Sequence, residues 1–157
     1  MMNSRSPIYL IMIIAVAILS GCSQSESEKE KAAQQLVDRM VVAANKIDTQ
    51  EYKLMLADDV KISIKSEENG QQRVISPSKN QYLNIMAQAR NSIQEYNLSV
   101  SDTKIRVEGE KAHVSTRVNE SMKIEGQMRN SKSREELTLE FRDGKPVVTE
   151  YVVYMDQ

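Results

Sequence analysis

The chain has no tryptophan, one phenylalanine, one histidine and one cysteine among its 157 residues. A single cysteine forms no internal disulfide, so stability has to come from packing, and one histidine without a cysteine partner leaves no zinc-ligand set. Aromatic residues make up 4% of the chain, too few for a stacking platform on single-stranded nucleic acid. With 21 basic against 22 acidic residues there is no cationic excess to hold phosphates either. Nucleic acid is therefore set aside as a partner, and no cofactor or metal is assigned. Long apolar runs are also missing. The longest, residues 8–19, would reach about 18 Å as a helix, well short of a hydrocarbon core of roughly 30 Å. What is present, 40% hydrophobic and 27% charged residues, is the composition of one globular domain with attachments.

The short apolar run has its own meaning. Residues 1–9 are polar and carry Arg5, the run follows, and the small residues Ser20 and Gly21 then precede Cys22, the order of a cleavable signal. Leu19-Ser20-Gly21-Cys22 resembles the lipobox of bacterial lipoproteins, which implies cleavage between Gly21 and Cys22 and acylation of Cys22, by palmitate among others. Several acyl chains hold a protein at a membrane stably where one does not. Ser23 resembles the sorting pattern for the outer membrane, facing the periplasm; in a host with a single membrane the anchor would be the cell membrane. The chain divides accordingly into a signal peptide (1–21), a lipidated cysteine with a flexible tether (22–31) and a domain (32–157).

Residues 23–31, built from serine, glutamine, glutamate and lysine, have nothing apolar to bury and grade into a helix. Ser25 with Glu28, and Ser27 with Glu30, each offer a capping box. Ala33, Leu36, Val37, Met40, Ala44 and Ile47 then mark one helical face. Asp48 with Glu51 caps a second, short helix. Val60, Ile62 and Ile64 alternate with polar residues as a half-buried strand, residues 67–70 turn, and residues 71–75 return. Ser78 and Gln81 open another helix, whose buried stripe is Tyr82, Ile85, Met86, Ala89 and Ile93.

From Glu95 the period becomes two. Tyr96, Leu98, Val100, Ile105 and Val107 alternate up to a turn at Gly109-Glu110. Ala112, Val114, Thr116, Val118, Met122, Ile124 and Met128 then share one side. Seventeen residues at about 3.3 Å each exceed the usual strand, which predicts a bend at Glu120 or, preferably, Gly126. Leu137, Leu139 and Phe141 form the apolar side of another strand, and Asp143-Gly144 is a hairpin signal. In the last strand Val147, Val148, Val152 and Val153 are apolar on both parities, which predicts a central strand covered on both faces.

Helices followed by a long antiparallel meander give an α+β class. The segments Leu56-Ala57-Asp58-Asp59-Val60, Glu108-Gly109-Glu110-Lys111-Ala112 and Phe141-Arg142-Asp143-Gly144-Lys145, in that order, look like the nuclear transport factor 2-like superfamily, which includes SnoaL-like proteins and ketosteroid isomerases. The resemblance covers about residues 31–155. It implies a cone: a curved, mostly antiparallel sheet packed on about three helices and enclosing a pocket. Tyr82, Met86, Met122, Phe141 and Glu150 are the candidate lining. Where ketosteroid isomerases carry a catalytic aspartate, this chain has Ile62, Ser63 and Ile64, so isomerase chemistry does not transfer.

The other polar candidates read as surface. Asp58 and Asp59, neighbours on the chain, suit a turn or helix end rather than an acid–base pair. His113 falls opposite Arg106 on the polar face. Lys104, Arg106, Arg117 and Lys123 share that face with Glu125, Glu136 and Glu140, a cross-paired solvated surface or a protein-docking one. Glu150 depends on register: a two-residue Asp143-Gly144 turn pairs it with Leu137 and points it at the pocket, whereas a one-residue bulge turns it out to water. With no catalytic constellation found, the leading expectation is a non-enzymatic, lipid-anchored domain that binds an apolar small ligand or an envelope protein. A homodimer through the sheet face is also admitted. The alternatives are a small enzyme using Glu150 and a structural accessory of an envelope assembly.

Overall fold

A computed structural model describes residues 24–156, which leaves the lipobox and Cys22 outside the described residues. The elements run α1 (Glu26–Lys46), α2 (Thr49–Met55), β1 (Leu56–Glu68), β2 (Gln71–Ile75), α3 (Lys79–Ser92), β3 (Ile93–Glu108), β4 (Lys111–Ile124), β5 (Gln127–Arg142) and β6 (Lys145–Met155). The helices start where short polar side chains can accept from free backbone N–H groups. Ser25 and Ser78 make complete capping boxes with Glu28 and Gln81, and the Asp48 carboxylate accepts from the N–H groups of Gln50 and Glu51. Because Ser25 is the cap used, residues 26–31, expected as flexible, belong to α1. Lys29 in that first turn is buried, and its ammonium donates to the Gly109 carbonyl at 2.8 Å and pairs with Glu110.

The six strands form one sheet in the order β2-β1-β6-β5-β4-β3, antiparallel throughout except for the parallel β1–β6 pair. The expected bend at Gly126 is instead a reversal. Glu125 and Gly126 are both left-handed (φ 51° and 77°), the conformation of a two-residue hairpin turn, so β4 ends at Ile124 and Met128 belongs to β5. Curvature comes from elsewhere. The register shifts between Ser101 and Lys104, where Asp102 has φ 53°, and Thr116 fixes the bulge by donating to the Ser101 carbonyl and bonding the Thr103 hydroxyl.

β6 is central, as its double parity predicted, but only its inner face is fully covered: Val148 and Val153 are buried while Val152 is half-buried. The helices lie on the inner face. α1 packs along β3, β4 and β6, and its Asn45 side chain bonds both the N–H and the carbonyl of Leu98, satisfying backbone on the edge strand β3. At the end holding the Gly109 and Gly144 turns, α1 closes directly onto the sheet, and Ala33, Ala112, Leu139 and Val148 are fully buried there. Toward the Gly126 turn a cavity separates the sheet from the helices. On α3, Leu83 rather than Ile85 takes the buried position, and Ile85 stays 53% exposed at the edge of the opening.

Candidate functional site

Between the curled sheet and the helices lies a cavity of about 330 Å³. α1 gives Ala44 and its cap residue Ile47, α2 gives Tyr52, α3 gives Tyr82, Ile85, Met86, Ala89 and Ser92, and the strands close the rest. Most of the wall is apolar. The polar part is four tyrosines, Tyr52, Tyr82, Tyr96 and Tyr151, with Ser92, Ser133 and two carboxylates, Glu120 and Glu135.

Both glutamates arise from strand parity. On β4, Val114, Thr116, Val118, Glu120, Met122 and Ile124 follow one another on the inner side; on β5, Glu135 sits two residues before Leu137, between Thr116 and Val153 of its neighbours. Glu120 accepts from the Tyr96 hydroxyl and from Ser131 at 2.8 Å. Glu135 is deeper and also borders a smaller void of about 30 Å³ toward the packed end. Burial pushes its carboxyl up to about 7, the Glu120 charge acts in the same direction, and a hydrogen bond with Tyr151 pulls it back in part. Burial is also the main cause that raises the Tyr52, Tyr82, Tyr96 and Tyr151 phenols, with the nearby carboxylates adding to it. All four therefore remain protonated donors near neutral pH, while Glu135 can take up or release a proton there. The Tyr82 ring is 5.9 Å from Tyr151, edge-on at 88°, and 6.4 Å from Tyr52, so three rings make a corner beside Glu135.

Of the residues singled out by sequence, Tyr82, Met86 and Met122 line this cavity. Phe141 does not: it is buried at the packed end with the Lys29 ammonium 5.6 Å from its ring. Glu150 also fails as a pocket residue. The Asp143-Gly144 turn is the two-residue kind, pairing Arg142 with Lys145, but the register shifts at Thr149, so Leu137 pairs with Tyr151 and Glu150 with Thr138. That bulge exchanges the faces, putting Tyr151 into the cavity and leaving Glu150 exposed. Glu150 lies in an open trough on the outer face with Lys65, Arg106, His113, Glu136 and Tyr154. His113 is opposite Arg106 and 3.8 Å from Glu108; Asp58 and Asp59 are both exposed and pair with Lys79 and Arg142. The Lys79 partner holds the Asp58 carboxyl below its usual range. Among the described residues no cluster of three or more histidine, cysteine, aspartate or glutamate side chains could hold a metal.

Sequence reasoning missed Glu120 and Glu135, although the signal was present. Extending the alternation of Val114–Val118 forward by two, or that of Leu137–Phe141 backward by two, lands on each glutamate in turn. Both steps stop early if an inner position is required to be apolar.

No protein-family model matches the chain, and no curated protein matches it. Solved structures do. A conserved protein from Planctomyces limnophilus superposes with a TM-score of 0.72 at 16% identity, over 83% of this chain and 98% of that one. A nuclear transport factor 2-like protein from Cytophaga hutchinsonii gives 0.65 at 14% identity, over 85% and 100%. A hexachlorocyclohexane dehydrochlorinase gives 0.68 at 14% identity, over 85% and 90%. The chain has the nuclear transport factor 2-like fold.

Proposed function

We propose that this is a lipid-anchored envelope protein whose cone binds a small, mostly apolar ligand that also engages hydrogen-bonding groups. The observation that carries the reading is the cavity itself: about 330 Å³, walled by aliphatic and methionine side chains, with tyrosine hydroxyls and two carboxylates converging in it. A fold neighbour named for hexachlorocyclohexane, a compact apolar molecule, is consistent with that choice. Native mass spectrometry of protein released gently from its own envelope tests it. A bound small molecule is expected, and it should be lost when Met86→Trp and Met122→Trp fill the cavity. An empty cavity with a stably crosslinked protein partner would overturn the small-ligand reading in favour of an assembly role.

The anchor rests on the lipobox, and the fold supplies a geometric consequence. The Gln24 side chain packs beside Gly144, about 3.5 Å from where a Cβ would stand. Two residues span at most about 7 Å, so a lipid on Cys22 would hold the Gly109 and Gly144 turns at the bilayer and leave the cavity opening toward the aqueous side. Cys22→Ser is expected to release the protein from membranes or stall its processing.

A second reading is favoured by one observation, the Glu135 carboxyl at about 7 inside the cavity, which suits it to proton transfer with a bound substrate. Ligand recovered chemically unchanged after incubation would count against that reading.

A further inference from the structure

The cavity wall has a one-sided charge inventory. It carries two carboxylates, and among the described residues no lysine, arginine or histidine lines it. Elsewhere on β3 and β5 the acidic side chains are matched. Glu136 meets Arg134, Glu140 meets Lys111 and Arg142, Glu95 meets Lys123, and Glu108 meets Arg106. Inside, Glu120 accepts from two neutral hydroxyls and Glu135 faces neutral Tyr151, and neither has an ion-pair partner among the described residues. An ionised carboxylate without a cation in an apolar enclosure is costly, and a ligand that brings the cation offsets that cost. The tyrosine corner is suited to the same charge, because aromatic faces attract cations, and more strongly once water is excluded. Glu120 lies four residues further toward the open end than Thr116, the cross-strand neighbour of Glu135. At about 3.3 Å per residue this sets the Glu120 backbone roughly 13 Å along the strand toward the opening.

We propose that the ligand of this cavity is an organic cation, an ammonium-type group on a small apolar body, held with its charge at Glu135 against the Tyr52, Tyr82 and Tyr151 rings. The proposal rests on the cavity being a ligand site and adds the sign of the ligand's charge. An anion would face two carboxylates with no compensating group. A neutral ligand would leave Glu135 to keep its proton.

Three probes of one size separate the cases: benzylammonium, benzyl alcohol and benzoate, titrated calorimetrically into the full chain held in lipid nanodiscs, with protein-free nanodiscs as blank. At pH 8 benzylammonium is expected to bind at least tenfold tighter than benzyl alcohol, with benzoate weakest. The advantage should shrink severalfold at pH 5.5, where Glu135 is protonated. The groups facing Glu135 are the neutral phenols of Tyr151 on β6, Tyr82 on α3 and Tyr52 on α2, with Glu120 on β4 and Tyr96 on β3 farther out, and none of them supplies a competing cation. Glu135→Gln should bring the cation and the alcohol to within about twofold, and Glu120→Gln should give a smaller loss. If benzyl alcohol binds as tightly as benzylammonium at pH 8, or if Glu135→Gln and Glu120→Gln both leave the cation preference intact, the cation proposal fails while the cavity reading stands. If none of the three probes binds, both fail.

Discussion

The two ends of this domain are built from the same strands and do opposite things. At the end with the Gly109 and Gly144 turns, β4, β5 and β6 present Ala112, Leu139 and Val148 to α1, and all three are fully buried. At the other end the same strands present Glu120, Glu135 and Tyr151 to an open volume. Burying polar groups with incomplete partners works against stability, so the open half depends on the closed half for its fold. Changes at the closed end should therefore move stability, and changes at the open end should move chemistry.

The largest expected effect is at the closed end. Leu139 is fully buried and among the largest such side chains, so Leu139→Ala should cost about 3 kcal/mol in urea unfolding, from lost transfer energy and the residual cavity. Benzyl alcohol binding to the fraction that remains folded should not change. A matching loss of binding would mean the two ends are not separable.

Glu135 makes the opposite case. Its folded carboxyl holds a proton up to about pH 7, against a usual value of 4.5. Between those pH values the native state binds more protons than the unfolded chain, so stability is fully present below about pH 4.5 and is lost as pH rises through 7. A fully enclosed carboxyl would give roughly 3 kcal/mol, and access through the open end reduces that to about 1–2 kcal/mol. Glu135→Gln should flatten this slope and raise the urea midpoint at pH 8 while leaving it unchanged near pH 4. A slope that survives the substitution would place the desolvated group elsewhere.

Much of the closed end was legible in the sequence, and much of the open end was not. The Ser25 capping box, the Ala112–Val118 alternation and the Asp143-Gly144 turn each rest on local chemistry, and local chemistry decided them. The first half of β5 did not announce itself. Gln127, Met128, Arg129 and Asn130 are all exposed and form strand only because β4 pairs with them across the Glu125-Gly126 reversal. Parity alone would have found Glu120 and Glu135, but the expectation that inner positions are apolar hid them. Glu150 was open in the sequence for a different reason: of the two registers it allowed, the one-residue bulge is the one adopted, and its place at Thr149, silent in composition, exchanges the two faces of the strand's second half.

Lys29 ties the first turn of α1 to the closed end and should have a smaller effect. Lys29→Met keeps the stem against Phe141 but loses the bonds to the Gly109 carbonyl and to Glu110. A loss of about 1 kcal/mol is expected, with faster amide exchange confined to the first turns of α1. Unchanged exchange there would show that α1 is held by its apolar face alone.

The smallest effect completes the comparison, because it makes the same chemical change one strand away and on the other face. Glu150 is exposed, and its contact with the Thr138 hydroxyl is long at 3.4 Å, so Glu150→Gln should shift stability by less than about 0.5 kcal/mol. It should leave benzylammonium affinity within twofold, since the outer trough and the cavity are separated by the sheet. Glu135→Gln should alter both quantities. If instead Glu150→Gln alters binding more than Glu135→Gln does, the ligand lies on the outer face, and the bulge at Thr149 would matter for exposing Glu150 rather than for turning Tyr151 inward.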